Sequence, residues 1–96
     1  MIALTLYSRP GCHLCDDMKA VVARILDELA HAPAHTAQRV EVQEVDISRD
    51  PELEARFGLE IPVLLVNGKK AAKYRVTEDE LRRRLADEWA RLKEAG

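Results

Sequence analysis

The sequence lacks an excess of charge of either sign, and this absence narrows the range of partners. Its 96 residues carry a formal net charge of −2, and the isoelectric point is near 5.9. Proteins that bind nucleic acid or anionic membranes by electrostatic attraction carry a basic surplus. We therefore expect neither nucleic acid nor a membrane among the partners of this chain.

Long apolar runs, internal repeats and low-complexity segments are also missing. Residues 1–6 have the length of a strand and follow no basic region, so they predict neither a signal peptide nor a membrane span. Hydrophobic residues make up 47% of the chain, which suffices for one small domain over 1–96 with a modest core. We expect a monomer in the cytoplasm, a compartment that keeps thiols reduced.

Apolar periodicity is what the sequence does contain, and it predicts four strands and three helices. Alternating or continuous apolar residues favour strands, whereas an apolar residue at every third or fourth position favours a helix. The predicted elements, in chain order, are a strand at 2–7, a helix at 12–30, a strand at 40–47, a short helix at 51–57, strands at 62–66 and 71–76, and a last helix with a stripe of Leu81, Leu85, Trp89 and Leu92.

The order of these elements, β-α-β-α-β-β-α, predicts an α/β fold. The first two strands are joined by a helix and must run parallel, whereas the last two form an antiparallel hairpin. One mixed four-stranded sheet flanked by helices accommodates both halves. Cap and turn signals support the boundaries; they are Asp50-Pro51 at a helix start, Gly58 at a helix end, Asn67-Gly68 in a hairpin turn, and Thr77 with Glu80 as a capping box.

Two cysteines lie where the first strand passes into the first long helix. Residues three apart on a helix are about 5–6 Å apart, a separation that a disulfide can span. Cys12 falls at the helix N-terminus, where the helix dipole favours an anion, so we expect a depressed pKa and a reactive thiolate, with Arg9 and His13 adding positive potential. Cys15 lies on the apolar stripe of the helix and is predicted to be buried. An exposed attacking thiol beside a buried resolving thiol is typical of disulfide exchange.

Two alternatives stay open at this point. The cysteines, His31 and His35 form the spacing C-x2-C-x15-H-x3-H, which falls within that of zinc sites. A helix over 12–30 would hold the cysteines more than ~20 Å from His31, however, which opposes a shared metal ion. The second alternative is a non-catalytic interaction module whose cysteine pair is vestigial.

Two segments carry a resemblance to a known family: LYSRPGCHLC at 6–15 and EIPVLLVNGK at 60–69. They resemble the strand-to-CxxC junction and the cis-proline strand and hairpin of glutaredoxin-like proteins of the thioredoxin-fold superfamily. The resemblance covers nearly the whole chain. It implies a thioredoxin-like fold and a thiol–disulfide oxidoreductase with no bound metal or organic cofactor. The implied partner is a disulfide-containing protein or glutathione, the latter as a candidate co-substrate.

The resemblance also implies the residues of the site. Ile61–Pro62 would be a cis bond beside the sulfurs, with the Ile61 backbone free to pair with a substrate chain. The segment KYRVTEDEL at 73–81 departs from the family, because glutaredoxins carry a glycine pair after the hairpin that helps to hold glutathione. With Cys12 and Cys15 as the catalytic pair, the candidate substrate-contacting residues are Arg9, Pro10, His13, Ile61, Pro62, Arg75 and Thr77.

Overall fold

A computed structural model describes residues 2–31 and 40–95 of the chain. It contains a four-stranded mixed sheet flanked by helices, which confirms the predicted α/β architecture. Within the described residues, no helix combines the length and the apolar character needed to cross a membrane. The elements are β1 (Ile2–Ser8), α1 (His13–Ala30), β2 (Val40–Asp46), a one-turn 3-10 helix (Ile47–Arg49), α2 (Pro51–Phe57), β3 (Val63–Val66), β4 (Lys69–Lys73) and α3 (Glu78–Ala95).

The strands lie in the order β2-β1-β3-β4, so β2 and β4 form the two edges of the sheet. Because α1 joins β1 to β2, those two strands run parallel, with Leu4 opposite Val42. On its other side β1 runs antiparallel to β3, where Leu4 lies opposite Val66. The hairpin turn at Asn67-Gly68 then makes β4 antiparallel to β3.

Successive side chains of a strand point to opposite faces, and the two faces of this sheet have different coverings. The longer helices α1 and α3 pack on one face and enclose what we call the two-helix core. The short helix α2 packs on the other face over a smaller set, which we call the site cluster. The two-helix core comprises Ile2, Leu4, Leu6, Met18, Val22, Ile25, Leu64, Val66, Leu81 and Leu85. The site cluster comprises Cys15, Ile47, Phe57, Ile61 and Val63, with Tyr7, Cys12, Leu53 and Leu65 at its margin.

The structure shifts one predicted strand. The return strand of the hairpin spans Lys69–Lys73 rather than 71–76. Asn67 and Gly68 both have positive φ values, 49° and 83°, and such a two-residue turn starts the return strand immediately. At the other end, Tyr74 has a φ of 69°, which interrupts the extended backbone three residues early.

Two smaller expectations are also wrong. The strand predicted at 40–47 ends at Asp46, because the Asp46 side chain accepts hydrogen bonds from the Ser48 backbone N–H and hydroxyl and starts the 3-10 turn. Leu92, assigned to the apolar stripe of the last helix, is 37% exposed and lies outside the two-helix core. Trp89 on the same stripe does pack against that core.

Candidate functional site

The turn after β1 places Cys12 at the start of α1. Gly11 has a φ of 81°, a left-handed conformation that glycine adopts without a steric penalty. Cys12 then serves as the N-cap of α1, and its sulfur accepts a hydrogen bond from the Cys15 backbone N–H at 3.1 Å. The two cysteines form a disulfide, with their Cα atoms 5.2 Å apart. The helix therefore holds the two cysteines one turn apart, close enough for their sulfurs to bond.

The two sulfurs occupy unequal environments, as the helical pattern predicts. Cys15 is 2% exposed and belongs to the site cluster, whereas Cys12 is half-buried and lies at its margin. His13, the first residue of α1, is exposed beside Cys12. The catalytic roles of these residues remain predictions, but the arrangement leaves one sulfur open to a partner and shields the other.

The segment before β3 flanks the cysteine pair. The Ile61–Pro62 peptide bond is cis, as the family resemblance implies, and Pro62 is fully buried. Ile61 and Val63, on either side of Pro62, share the site cluster with Cys15. The cis peptide therefore lies within the same apolar unit as the resolving sulfur.

The backbone of Ile61 differs from the prediction. Its N–H donates to the Phe57 carbonyl at 3.1 Å, and the Glu60 N–H donates to the same oxygen at 2.8 Å. The expectation that the Ile61 backbone is free to pair with a substrate chain is therefore wrong for its N–H group. The reason is that the turn after α2 continues the helix-like hydrogen bonding as far as Ile61.

Arg9 connects the turn before Cys12 to α2. Its guanidinium forms an ion pair with Glu54 and donates to the Gly58 carbonyl at 3.1 Å. A Cβ atom at Gly58 would lie 2.5 Å from the Glu54 carbonyl oxygen, so this position excludes other side chains. We call these three residues the Arg9 clasp. Sequence reasoning assigned Arg9 to the site but found neither partner, because each lies more than forty residues away along the chain.

Arg75 and Thr77 lie beyond β4, at the start of α3. Thr77 Oγ1 accepts from the Glu80 N–H at 3.1 Å, and a Glu80 carboxylate oxygen accepts from the Thr77 N–H at 3.0 Å, which confirms the capping box. Arg75 is exposed, and within residues 2–31 and 40–95 no carboxylate pairs with it. The first turn of α3 also carries Glu78 and Asp79, so this helix end repels an anionic ligand.

A polar cleft of about 150 Å³ opens on the other side of the cysteine pair. It lies between the turn at Pro10 and the ends of α1 and β2, and Cys15 forms part of its wall. Lys19 donates to Glu44 at 2.8 Å, and this hydrogen bond raises the pKa of Lys19. The Ser48 hydroxyl lowers the pKa of Asp46 in the same wall. Both groups are therefore charged at neutral pH, which makes the cleft a solvated polar surface.

The zinc alternative gains no support from this geometry. Cys12 and Cys15 are bonded to each other. The 18 residues of α1 place His31 about 27 Å along the helix axis from the first residue of the helix, His13. Among the described residues, no group of three or more histidine, cysteine, aspartate or glutamate side chains could hold a metal ion. His35 lies outside the described residues.

Comparisons with known proteins agree with this architecture. A family model described as Glutaredoxin-like domain (DUF836) matches residues 3–86. The Dictyostelium discoideum protein named "Glutaredoxin-like protein YDR286C homolog" is 27% identical over 82 residues, covering 83% of this chain and 71% of that protein. The X-ray structure of XcR50 from X. campestris, a Northeast Structural Genomics target, is 32% identical, with a TM-score of 0.64, and the likeness covers 88% of this chain and 96% of that one.

A solved structure of a malarial protein is also similar in fold. It is 15% identical, with a TM-score of 0.60 over 91% of this chain and 96% of its own. At that identity the likeness concerns the fold alone. Together with the structure from X. campestris, it confirms the predicted thioredoxin-like fold.

Proposed function

This chain belongs to the glutaredoxin-like domain family (DUF836), and from that premise we propose that it is a small thiol–disulfide oxidoreductase acting through Cys12 and Cys15. One observation carries the proposal: a half-buried cysteine caps the N-terminus of α1, and a second cysteine, which is 2% exposed, lies one helical turn below it within bonding distance. Disulfide exchange requires an accessible thiol that attacks and a second thiol that resolves the intermediate.

In the first step, Cys12 of the reduced protein is the attacking group. The unpaired N–H groups of the first turn of α1 and the helix dipole favour an anion at this position. The Cys15 N–H, which donates to the Cys12 sulfur at 3.1 Å, adds to this preference for the thiolate. The thiolate attacks one sulfur of a substrate disulfide and forms a mixed disulfide. The other substrate sulfur leaves as a thiolate and takes a proton from water.

In the second step, Cys15 resolves the mixed disulfide. Its thiol releases a proton, and the resulting thiolate attacks the Cys12 sulfur and displaces the second substrate sulfur. The protein is left with the Cys12–Cys15 disulfide, and two electrons have passed to the substrate, which is now a pair of thiols. A separate dithiol, or glutathione as co-substrate, reduces the protein again. The proposed cycle uses no metal and no organic cofactor.

Disulfide-containing proteins and glutathione are the two partners that this scheme allows, and the structure favours a protein. Thr77 is held in its capping box rather than free to contact a carboxylate. The acidic first turn of α3 opposes the carboxylates of glutathione. We therefore propose a protein disulfide as the main substrate.

Single substitutions of the two cysteines test the proposal. The full chain, Cys12→Ser and Cys15→Ser are assayed for reduction of a disulfide-bonded protein, with dithiothreitol as the electron donor. We expect Cys12→Ser to fall to the uncatalysed rate. Cys15→Ser should accumulate a mixed disulfide between Cys12 and the substrate, because the second step is blocked, and mass spectrometry detects this product.

The non-catalytic alternative predicts the opposite result. Full activity without Cys12 would refute the mechanism. Failure of the Cys15→Ser variant to form any mixed disulfide, together with an inactive wild-type protein, would assign the chain to the interaction-module class. A variant with both cysteines replaced by serine provides the baseline for both measurements.

A further inference from the structure

The two edges of the sheet differ in how they are protected from pairing with another strand. The five residues of β4 include Lys69, Lys70 and Lys73, and the pairing of β4 with β3 shifts register between Leu64 and Leu65. Lysines and bulges are among the features that keep an edge strand from pairing with another chain. The β4 edge is therefore protected.

The β2 edge lacks these features. β2 is seven residues long, contains neither lysine nor proline, and follows β1 in unbroken register from Val40 to Asp46. Its Val42 side chain is 39% exposed, although valine is among the residues most often buried. An edge strand directs half of its backbone N–H and C=O groups away from the sheet. Within residues 2–31 and 40–95 no strand pairs with this side of β2, so the edge is open to a further strand.

An apolar groove follows this edge, between β2 and α1. Its volume is about 260 Å³, and its wall includes Val42, Leu26 and the exposed Ala23. At one end of the groove, Lys19 pairs with Glu44 at 2.8 Å, so the charge of Glu44 is compensated. A strand added to β2 would cover the groove and the exposed valine together.

Symmetry limits the ways in which a second copy can supply that strand. When two identical strands pair antiparallel in one sheet, opposite residues point to the same face, so one residue lies on the two-fold axis and faces its own copy. An axis at Val42, Gln43 or Glu44 leaves at least residues 40–44 or 42–46 paired. At Glu44 two carboxylates would face each other, and at Gln43 each Val42 would face a Glu44. Only the axis at Val42 places the exposed valines against each other.

The charges are complementary when the axis lies at Val42. On the face away from the groove, Glu41 of each copy lies opposite Gln43 of the other, whose amide N–H donates to a carboxylate. On the groove face, Glu44 lies opposite Val40 of the other copy, while Lys19 of its own chain compensates its charge. Among the paired residues 40–44, no two like charges lie directly opposite each other.

We propose that β2 pairs antiparallel with β2 of a second copy about a two-fold axis through Val42. The dimer has one continuous sheet of eight strands, four from each copy, and it replaces the expectation of a monomer. Each cysteine pair follows the C-terminal end of β1, and the two copies of β1 run in opposite directions. The two cysteine pairs therefore lie at opposite ends of the joined sheet, where both stay accessible. The inference does not depend on the proposed oxidoreductase function.

Sedimentation of the full-length, disulfide-bonded protein over a concentration series tests the dimer. One strand pair and one groove make a small interface, so we expect the mass to double at about 10–100 µM protein. Val42→Lys places two lysines face to face on the axis and should raise the dissociation constant at least about 100-fold. Gln43→Lys adds the same charge at the next residue but places it opposite Glu41 of the other copy. It should lower the dissociation constant about threefold, less so in added salt.

A covalent cross-link tests the register directly. In a chain with Cys12 and Cys15 replaced by serine, Val42→Cys places a single cysteine on the axis. Directly opposite residues of antiparallel strands have Cα atoms about 4.5–5.5 Å apart, within the reach of a disulfide. Mild oxidation should therefore convert most of the protein to covalent dimers. Gln43→Cys is the matched control, because its copy lies about 8 Å away across the axis and on average beyond that reach.

Each result either supports the dimer or overturns it. A wild-type protein that keeps the mass of one copy throughout the series would overturn the proposal and leave the β2 edge to some other strand. Gln43→Lys that weakens association as much as Val42→Lys would refute the axis at Val42, as would equal cross-linking of the two cysteine variants. A mass that grows beyond two copies would contradict a closed two-fold assembly.

Discussion

The two faces of the sheet differ in size and in content. The two-helix core buries ten residues between the sheet and two helices of 18 residues each, and it contains no cysteine. The site cluster buries five residues under a helix of seven, and one of them is Cys15. Each fully buried aliphatic side chain contributes about 2 kcal/mol through the hydrophobic effect. Most of the stability therefore lies in the two-helix core, whereas the proposed disulfide exchange uses a buried residue of the smaller site cluster.

Adjacent residues of the central strands connect these two faces. In β1, Leu6 faces the two-helix core and Tyr7 the site cluster; in β3, Leu64 and Leu65 divide in the same way. The core therefore fixes the position of the strands from which side chains of the site cluster also project. Truncation of neighbouring residues that face opposite sides measures how much each face contributes to stability.

Leu64→Ala and Leu65→Ala form this matched pair. Leu64 is fully buried in the two-helix core, so its truncation should leave a cavity and lower the free energy of unfolding by about 3 kcal/mol. Leu65 is half-buried at the margin of the site cluster, and its truncation should cost about 1 kcal/mol. Urea unfolding of both variants measures the difference. Equal losses of stability in the two variants would mean that the two faces contribute alike.

Removal of the Arg9 clasp should affect the site more than the stability of the fold, because the clasp is polar and joins the turn before Cys12 to α2. Arg9→Ala should lower stability by only about 1 kcal/mol, since the Arg9 and Glu54 side chains are 40% and 36% exposed and solvent screens their attraction. The turn before Cys12 loses its anchor to α2, so the rate of disulfide exchange should fall about tenfold.

Arg9→Lys separates position from charge in that experiment. Lysine keeps the positive charge but lacks the forked guanidinium that reaches both Glu54 and the Gly58 carbonyl. If the clasp acts by positioning, Arg9→Lys should lose nearly as much exchange rate as Arg9→Ala. Full recovery of the rate by lysine would contradict positioning and would indicate that only the charge near Cys12 matters.

Sequence patterns predicted local features well and long-range contacts poorly. The Thr77–Glu80 cap and the Asn67-Gly68 turn depend on residues that are neighbours in the chain, so their signals are complete in the sequence. The clasp between Arg9 and Gly58 joins residues far apart, and no periodicity records it. The cis bond at Pro62 required a family resemblance, because cis X–Pro bonds are a minority of about 5–6%. The left-handed Tyr74 had no local signal, since a tyrosine seldom adopts that conformation.

Substitution of Thr77 should have a smaller effect. The sequence assigned this residue both to substrate contact and to a helix cap, and two variants distinguish these roles. Thr77→Ala removes the acceptor for the Glu80 N–H and should lower stability by about 1 kcal/mol, whereas Thr77→Ser should retain it. If the residue serves only as a cap, the KM for a glutathione-containing disulfide should be the same in both variants. A raised KM in Thr77→Ala alone would restore Thr77 to the binding site.

The smallest expected effect concerns the ion pairs that join the two long helices of the core face. Arg82 donates to both carboxylate oxygens of Glu28 at 2.8 Å, which connects α3 to α1. This hydrogen bonding is the main cause that lowers the pKa of Glu28 below its ordinary value of 4.5. A carboxyl group whose pKa is lower in the folded protein than in the unfolded chain stabilises the fold at pH values above its ordinary pKa. That contribution is lost as the pH falls through the folded-state value.

Glu28→Gln should therefore be slightly less stable than the wild type at neutral pH, and the difference in Tm should close as the pH falls below 4.5. Both groups are exposed, so added salt should also reduce the difference. Asp87→Asn on α3 removes an equal charge without touching the pair, and its difference from the wild type should not follow that pH course. Disulfide exchange at neutral pH should be the same in Glu28→Gln and in the wild type, because Glu28 lies near the C-terminal end of α1, about 20 Å along the helix from Cys15. A change in exchange rate would mean that the two ends of α1 are coupled, and that the ion pairs of the two-helix core influence the cysteine pair.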